Sequence, residues 1–183
     1  MQQEMPNFRA TAAFVGVLMG GLYDKSGLPL LNHCMRVALR IQQECPGDDE
    51  VFQIAMLHDV VEDTCMTLTE LRRMGYSARV LAALELLTHD DAEMPYDRYI
   101  AAIVSSGNLD AIRVKLADMR DNTLEWRMTT LPEHEQAWLQ ARYAEPLKQL
   151  EHALINGVLG SPSTTPALSE AVSDGTDYGT GGY

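Results

Sequence analysis

Apolar residues recur at intervals of three and four along most of this 183-residue chain. In the first such segment Phe8, Ala12, Val15 and Met19 follow this spacing, which places one apolar stripe along a helix. No stretch shows the sustained alternation of apolar and polar residues that a half-buried strand requires. The pattern therefore predicts an all-α domain, a bundle of about seven or eight helices.

Capping residues and glycines indicate where these helices begin and end. Asp48 or Asp49 can cap a third helix, which carries so little polar surface before His58 that we expect it to be central and largely buried. The last long helix is expected to begin near Thr130, whose spacing to a glutamate fits a capping box, and to end at Gly157. The other predicted helix starts are Leu30, Thr67 with its capping-box glutamate, Ser77, Tyr96 and Leu109.

The C-terminal residues differ in composition from the rest of the chain. Residues 157–183 are rich in Gly, Ser, Thr and Pro and contain no Lys or Arg. Such a segment buries too little apolar surface to offset the entropy lost on ordering. The sequence therefore predicts one folded domain over residues 1–156 and a disordered tail over residues 157–183.

The charge and the cysteine content exclude several classes of protein. A net charge of -12 argues against a protein that binds a nucleic-acid polymer through diffuse phosphate contacts. The 3 cysteines are an odd number without CxxC spacing, so they indicate neither a disulfide framework nor a cysteine zinc site. Without a signal sequence or a long apolar run, we expect a cytoplasmic protein that does not contact the membrane. A homo-oligomer is compatible with the fold, although no apolar surface decides it.

Chemistry is concentrated in the sequence HDVVED at residues 58–63. On a helix, His58 lies one turn from Glu62 and Asp59 one turn from Asp63, so both pairs occupy neighbouring faces. An imidazole beside a carboxylate suits a divalent ion such as Mn, Fe or Zn. A carboxylate one turn beyond the ligands is then free to take a proton from an attacking water.

A metal ion needs further ligands from elsewhere, and two candidates are His33 and Asp118. Each also has a simpler interpretation, because a histidine in the first turn of a helix often serves as a cap. Asp118 and Asn122 can equally be ordinary surface residues. The remaining histidines lie in a loop or on a polar helix face, and we expect them at the surface: His89, His134 and His152.

The order of these residues resembles that of the metal-dependent HD phosphohydrolases. Three segments are similar to the hydrolase domain of RelA/SpoT homologues and of small alarmone hydrolases: KSGLPLLNH at residues 25–33, MLHDVVEDT at 56–64 and VKLADMRDN at 114–122. They match the family motifs KxGxPYIxHP, LLHDxxEDT and KLADxxxN. The resemblance covers residues 8–155 and implies an HD-domain helical bundle.

The resemblance also implies a reaction and roles for residues. The reaction would be metal-dependent hydrolysis of guanosine 3′,5′-bispyrophosphate (ppGpp) to pyrophosphate and a guanine nucleotide. Glu62 and Asp63 would orient and deprotonate the attacking water. Lys25, Lys115 and Asn122 would bind the phosphates and the sugar of the nucleotide substrate. One divalent ion, Mn²⁺ in that family, would be held by His33, His58, Asp59 and Asp118.

Three positions depart from the family pattern and concern the substrate. Asp24 stands where an arginine packs against the guanine base in many alarmone hydrolases, Leu30 replaces a tyrosine, and Cys34 replaces a proline. Two alternatives therefore remain open. The chain is either an HD phosphohydrolase for another nucleotide, such as a dNTP, a dNMP or NADPH, or a catalytically silent HD-fold binding module.

Overall fold

Helices form the whole architecture in the residues that the computed structural model describes, which are 6–24, 26–90 and 92–160. Eight helices span six residues or more, and two further helices, α4 and α9, are single turns. The all-α prediction is therefore confirmed. The helices are α1 Phe8–Leu18, α2 Leu30–Glu44, α3 Asp49–Leu57, α4 Val60–Asp63, α5 Leu68–Arg73, α6 Ala78–Leu87, α7 Tyr96–Ser106, α8 Leu109–Asn122, α9 Glu125–Met128 and α10 Glu133–Gly160.

Side-chain caps start three of these helices at the predicted positions. The Asp48 carboxylate accepts from the backbone N–H of Val51 and starts α3. Thr67 and Glu70 form a reciprocal capping box at α5, and Ser77 caps α6. Each cap satisfies backbone N–H groups that would otherwise lack partners, and so it fixes the residue at which its helix begins.

Helix α3 lies at the centre of the bundle. It packs against α1, α2, α6 and α8, and its residues from Gln53 to Leu57 are all buried. At fully buried positions such as Ile54 and Leu57, several kcal/mol of transfer free energy are gained relative to an exposed chain, at about 1.5–3 kcal/mol per side chain. The predicted central helix is therefore confirmed, and it carries the next segment into the interior.

The prediction that this helix continues through the HDVVED segment is wrong. It ends at Leu57, and His58 and Asp59 form a turn before α4 begins at Val60. The His58 ring donates from Nδ1 to the Ala55 carbonyl at 2.8 Å. In a continuous helix that carbonyl would accept from the N–H of Asp59, so the side chain competes with the backbone and the helix breaks.

The last helix begins and ends later than predicted: α10 begins at Glu133, and the Thr130 hydroxyl donates to the Arg127 carbonyl instead of forming the predicted capping box. α10 continues through Pro146 and past Gly157 to Gly160. Gly157 lies within the helix, and a glycine is needed there for close packing. A Cβ atom at this position would lie 2.3 Å from Cδ2 of Leu109. The predicted tail thus starts within a helix, and its residues 161–183 lie outside the described part. None of the helices in the described ranges is long and apolar enough to cross a membrane.

A short loop connects α1 to α2 and reaches the site described below. Asp24 organises it, because its Oδ1 accepts from the backbone N–H groups of Ser26 and Leu28. Gly27 adopts a φ of 74°, which a glycine tolerates without strain. The loop therefore holds Asp24 in one orientation, with its second oxygen turned to the bundle.

Candidate metal centre and active site

Two imidazoles and two carboxylates converge where α2, the turn after α3, and α8 meet. Nε2 of His33 lies 3.2 Å from Nε2 of His58 and 3.1 Å from Oδ1 of Asp118. Oδ1 of Asp59 lies 3.2 Å from Nε2 of His58. The structure thus brings together residues from three distant segments: the ligand atoms of His33, His58 and Asp118 all lie close enough to share one ion, and Asp59 adjoins them beside His58. Ligands about 2 Å from one ion lie within about 4 Å of each other, and these spacings fit that limit.

The hydrogen bonds of the two rings fix which nitrogen faces the cluster as a lone pair. His58 Nδ1 lies 2.8 Å from a backbone carbonyl, so Nδ1 carries the hydrogen. His33 Nδ1 lies 2.7 Å from the Asp121 carboxylate and carries a hydrogen for the same reason. When both rings are neutral, both Nε2 atoms point lone pairs at each other and at carboxylate oxygens. Such a donor set repels itself unless a proton or a metal ion lies within it, so the residues fit a divalent metal ion that replaces the proton.

The titration of His33 is consistent with a site that attracts cations. Burial alone would lower the pKa of His33, but hydrogen bonds with Asp118 and Asp121 and the charge of Asp59 raise it to about 10. The ligand atoms of Cys34, His58 and Asp59 are also close together. Burial raises the pKa of the Cys34 thiol, and neighbouring carboxylates raise it further, which disfavours the thiolate. The imidazoles and carboxylates are therefore the better donor set.

Asp121 is a buried carboxylate that the sequence did not single out. It accepts from His33 Nδ1, from Nε of Arg36 at 2.7 Å and from a terminal nitrogen of Arg127 at 2.8 Å. Burial would raise the pKa of Asp121, but its bonds to His33 and Arg36 hold it well below its usual range. A charged carboxylate on Nδ1 fixes the orientation of the His33 ring toward the cluster. Asp121 lies directly before Asn122 and three residues after Asp118, at a position that the KLADxxxN motif leaves open.

Arg127 is the second residue that the sequence reasoning missed. It follows α8 in the short helix α9 and is 6% exposed. Besides Asp121, its guanidinium contacts Asp24 Oδ2 at 2.9 Å and Asn122 Oδ1 at 3.1 Å. The pair with Asp24 explains an acid at that position, because Asp24 neutralises a buried arginine. Arg127 therefore links the loop before α2 to the cluster.

A cavity of about 240 Å³ opens beside the cluster. Glu62, Lys115 and Asn122 line it together with three of the four clustered residues, His33, Asp59 and Asp118. Asp63 is not among the lining residues, and Lys25 lies outside the described residues. His89, which we expected at the surface, also lines the cavity and stacks on Tyr99 at 4.3 Å. His89 lies in the loop between α6 and α7, and this loop brings it to the cavity wall. The residues near His89 in the sequence give no indication of that position.

Glu62 is suited to proton transfer near neutral pH. Burial raises its pKa to about 7, and the charges of Asp59 and Asp63 act in the same direction. The backbone N–H of His89 donates to one of its oxygens and partly offsets that increase. Since proton transfer is most effective when the pKa lies near the working pH, Glu62 has the properties of a general base.

Lys115 and Asn122 both hold the Asp118 carboxylate. Lys115 Nζ donates to Oδ2 at 2.8 Å, and Asn122 Nδ2 donates to Oδ1 at 2.6 Å. Burial would raise the pKa of Asp118, but the Lys115 charge and the His33 bond hold it well below its usual range. Burial would lower the pKa of Lys115, but the Asp118 carboxylate raises it. Both groups therefore stay charged, and the lysine lies in the cavity wall.

Comparisons with known proteins give a consistent result. The human guanosine-3′,5′-bis(diphosphate) 3′-pyrophosphohydrolase MESH1 is 33% identical over 152 residues, which cover 81% of this chain and 80% of the human protein. The Danio rerio MESH1 is 33% identical over 151 residues, covering 80% and 78%. A solved structure described as a metazoan ortholog of SpoT that hydrolyses ppGpp shares the fold, with a TM-score of 0.63 at 19% identity over 87% of this chain and 97% of that one. No family model matches the chain.

Proposed function

The chain belongs to the family of the MESH1 guanosine-3′,5′-bis(diphosphate) 3′-pyrophosphohydrolases, and we propose that it hydrolyses the 3′-pyrophosphate of ppGpp. The products are pyrophosphate and GDP, or GTP from the pentaphosphate. The observation that carries the proposal is the convergence of two Nε2 lone pairs with two carboxylates in a cavity that also holds Glu62 and Lys115. That combination suits attack of water on a phosphate anhydride or ester.

We assign one divalent ion, Mn²⁺, to His33, His58, Asp59 and Asp118. Bound there, the ion supplies Lewis-acid polarisation of a phosphoryl oxygen and lowers the pKa of water. The chain's contribution is to orient the ligands. Asp121 fixes the His33 ring through Nδ1, and the Ala55 carbonyl fixes His58 in the same way. Mixed imidazole and carboxylate donors match the preference of borderline divalent metals.

Glu62 takes the proton of the attacking water in this proposal. Its carboxylate lines the cavity, and a pKa of about 7 leaves about half of it ionised, and so able to accept a proton, at neutral pH. Asp63 lies outside the cavity wall, and we assign it an electrostatic role in orienting that water. Burial and the Asp59 charge raise the pKa of Asp63 as well. Glu62 is therefore the stronger candidate of the two.

Local cations compensate for the acidic surface during substrate binding. The chain carries a net charge of -12, so the protein as a whole repels a nucleotide. We assign Lys115 and Lys25 to the phosphates and Asn122 to the sugar. Lys115 lies over the Tyr99 ring at 5.2 Å, which keeps its charged end at the cavity wall. An incoming phosphate then competes with Asp118 for the same ammonium.

The proposal is tested with Mn²⁺ present by measuring pyrophosphate release from ppGpp and by following the loss of each alternative substrate chromatographically. We expect the wild type to cleave ppGpp faster than a dNTP, a dNMP or NADPH, each assayed at equal concentration. A preference for any of these three would move the protein to another substrate class of HD phosphohydrolase. The absence of turnover on all four, in protein that binds Mn²⁺, would identify a silent binding module.

A further inference from the structure

A second cavity adjoins the one at the metal centre. Its volume is about 270 Å³, and α10 forms one of its walls. The two cavities share five lining residues, which are Asp24, Tyr96, Asn122, Arg127 and Tyr143. Each alone is slightly smaller than the usual ligand pocket, for which about 300–1,000 Å³ is typical. Together they form an elongated cleft of nucleotide size, with the metal centre at one end.

The wall of this second cavity is aromatic and cationic. The Arg142 guanidinium lies 4.1 Å from the centre of the Tyr96 ring and 5.0 Å from that of Trp138. Trp138 is 54% exposed, so a large part of its ring is accessible to a ligand in the cavity. Flat π surfaces and a planar guanidinium are the groups on which nucleobases stack.

A carboxylate lies in the same wall. Glu135 lines the second cavity, and no side-chain hydrogen bond or ion pair of the described residues engages it. Guanine presents two adjacent donors, N1–H and the exocyclic amine, to which a carboxylate can accept bidentately. Adenine has an acceptor at N1, so the same carboxylate would repel it. Glu135 is therefore placed to distinguish the two purines.

Two buried polar atoms at the junction of the cavities have no hydrogen-bond partner among the described residues. They are the Tyr96 hydroxyl and Nε of Arg127, and both residues line both cavities. Buried donors without a partner are rare in native proteins and call for a water or ligand that satisfies them. Their position indicates that a polar ligand crosses from one cavity to the other.

We propose that this cleft binds the guanine base of the substrate, with Trp138 and Arg142 stacking on the ring and Glu135 accepting from its Watson–Crick edge. The inference rests on the proposed function and adds the residues that select the base. The bound nucleotide would then place its 3′-pyrophosphate at the metal centre and its sugar at the junction.

Base selectivity tests the role of Glu135. We expect wild-type kcat/KM to decrease in the order guanine, hypoxanthine, adenine for the corresponding 3′,5′-bis(diphosphates), because hypoxanthine keeps N1–H and lacks the amine. Glu135→Gln should reduce the guanine-over-adenine ratio by about tenfold, since the amide keeps one acceptor and presents an NH₂ group to the second guanine donor. Glu133→Gln is the control, because it removes the neighbouring acid of the same helical turn outside the cleft. Equal ratios in the wild type and Glu135→Gln would overturn the inference.

Binding of GDP tests the cleft without requiring turnover. We expect Trp138→Ala to weaken GDP binding about tenfold in calorimetry, and to raise KM for ppGpp with kcat changed less than about twofold. Wild-type protein should bind GDP more tightly than ADP even if it hydrolyses no ppGpp, in which case only the proposed function fails. If ppGpp is hydrolysed while GDP and ADP bind equally and Trp138→Ala is unaffected, the inference fails and the proposed function stands.

Discussion

Replacing Asp121 by asparagine tests how the metal ligand His33 is held. The two side chains have the same shape, so the change removes a charge without creating a cavity. The Asp121 carboxylate is 4% exposed and receives bonds at 2.7 Å from His33, 2.7 Å from Arg36 and 2.8 Å from Arg127. An amide can accept from only part of this set and presents hydrogens to the rest.

The structure sets the size of the two expected effects. Removing one partner of a buried ion pair costs about 3–5 kcal/mol. Arg36 is 29% exposed and Arg127 keeps its bonds to Asp24 and Asn122, so we expect about 3 kcal/mol, the lower end. A domain with about 5–15 kcal/mol of stability remains folded after such a loss. Partners of metal-ligating histidines typically contribute 10–100-fold in affinity, so we expect Mn²⁺ binding to weaken by about that factor.

Urea denaturation in a chelator measures the first effect, and calorimetric titration with Mn²⁺ measures the second. Asp110→Asn is the matched control, because Asp110 also pairs with an arginine, Arg79 at 2.7 Å, on the surface of the bundle. The control should lose some stability and no metal affinity. Unchanged Mn²⁺ affinity in Asp121→Asn would refute the idea that this carboxylate orients His33.

Three further changes have defined outcomes. Glu62→Gln should lower kcat by about 100-fold or more while Mn²⁺ affinity measured by calorimetry stays the same, because it removes only the base. Mn²⁺ at about 100 times its Kd should stabilise the wild type by about 2.7 kcal/mol, and His58→Ala should abolish that gain in thermal denaturation. Burial would raise the pKa of Asp48, but Arg79 lowers it. The Asp48–Arg79 ion pair therefore stabilises the fold above the pKa that Asp48 has in the unfolded chain, and this stabilisation is lost as the pH falls through the lower pKa of the folded state. Arg79→Gln should cost about 1 kcal/mol at pH 7 and less below about pH 4.

Local sequence signals predicted the helices well because caps act over a few residues. Thr67 with Glu70 and Ser77 each start a helix through bonds to residues within the same turn. The same reasoning failed at His58, where a side chain takes a backbone carbonyl and breaks the helix. Gly157 was misassigned as a helix end because its contact with Leu109, on another helix, is not visible locally.

The candidate site was predictable where motifs carried it and not elsewhere. His33, His58, Asp59 and Asp118 were named from the sequence, and the structure brings them together. Asp121, Arg127 and His89 were missed, because each acts through contacts with residues far away in the chain. Asp121 lies inside a matched segment but at a position that the motif leaves open, and nothing near Arg127 or His89 distinguishes them from surface positions, so only the tertiary structure identifies their contacts.

The two halves of helix α10, before and after Pro146, differ in how they are held to the rest of the protein. A proline has no N–H to donate to the carbonyl one turn earlier, at Arg142, so the helix has a weak point between its two halves. The later half is anchored in the core by Leu150, which is fully buried, and by an ion pair between Glu151 and Arg120. The earlier half carries mainly exposed or half-buried side chains, Trp138 among them. Substitutions at its exposed positions should therefore cost little folding free energy, so this half can change its binding surface while the later half keeps the helix in place.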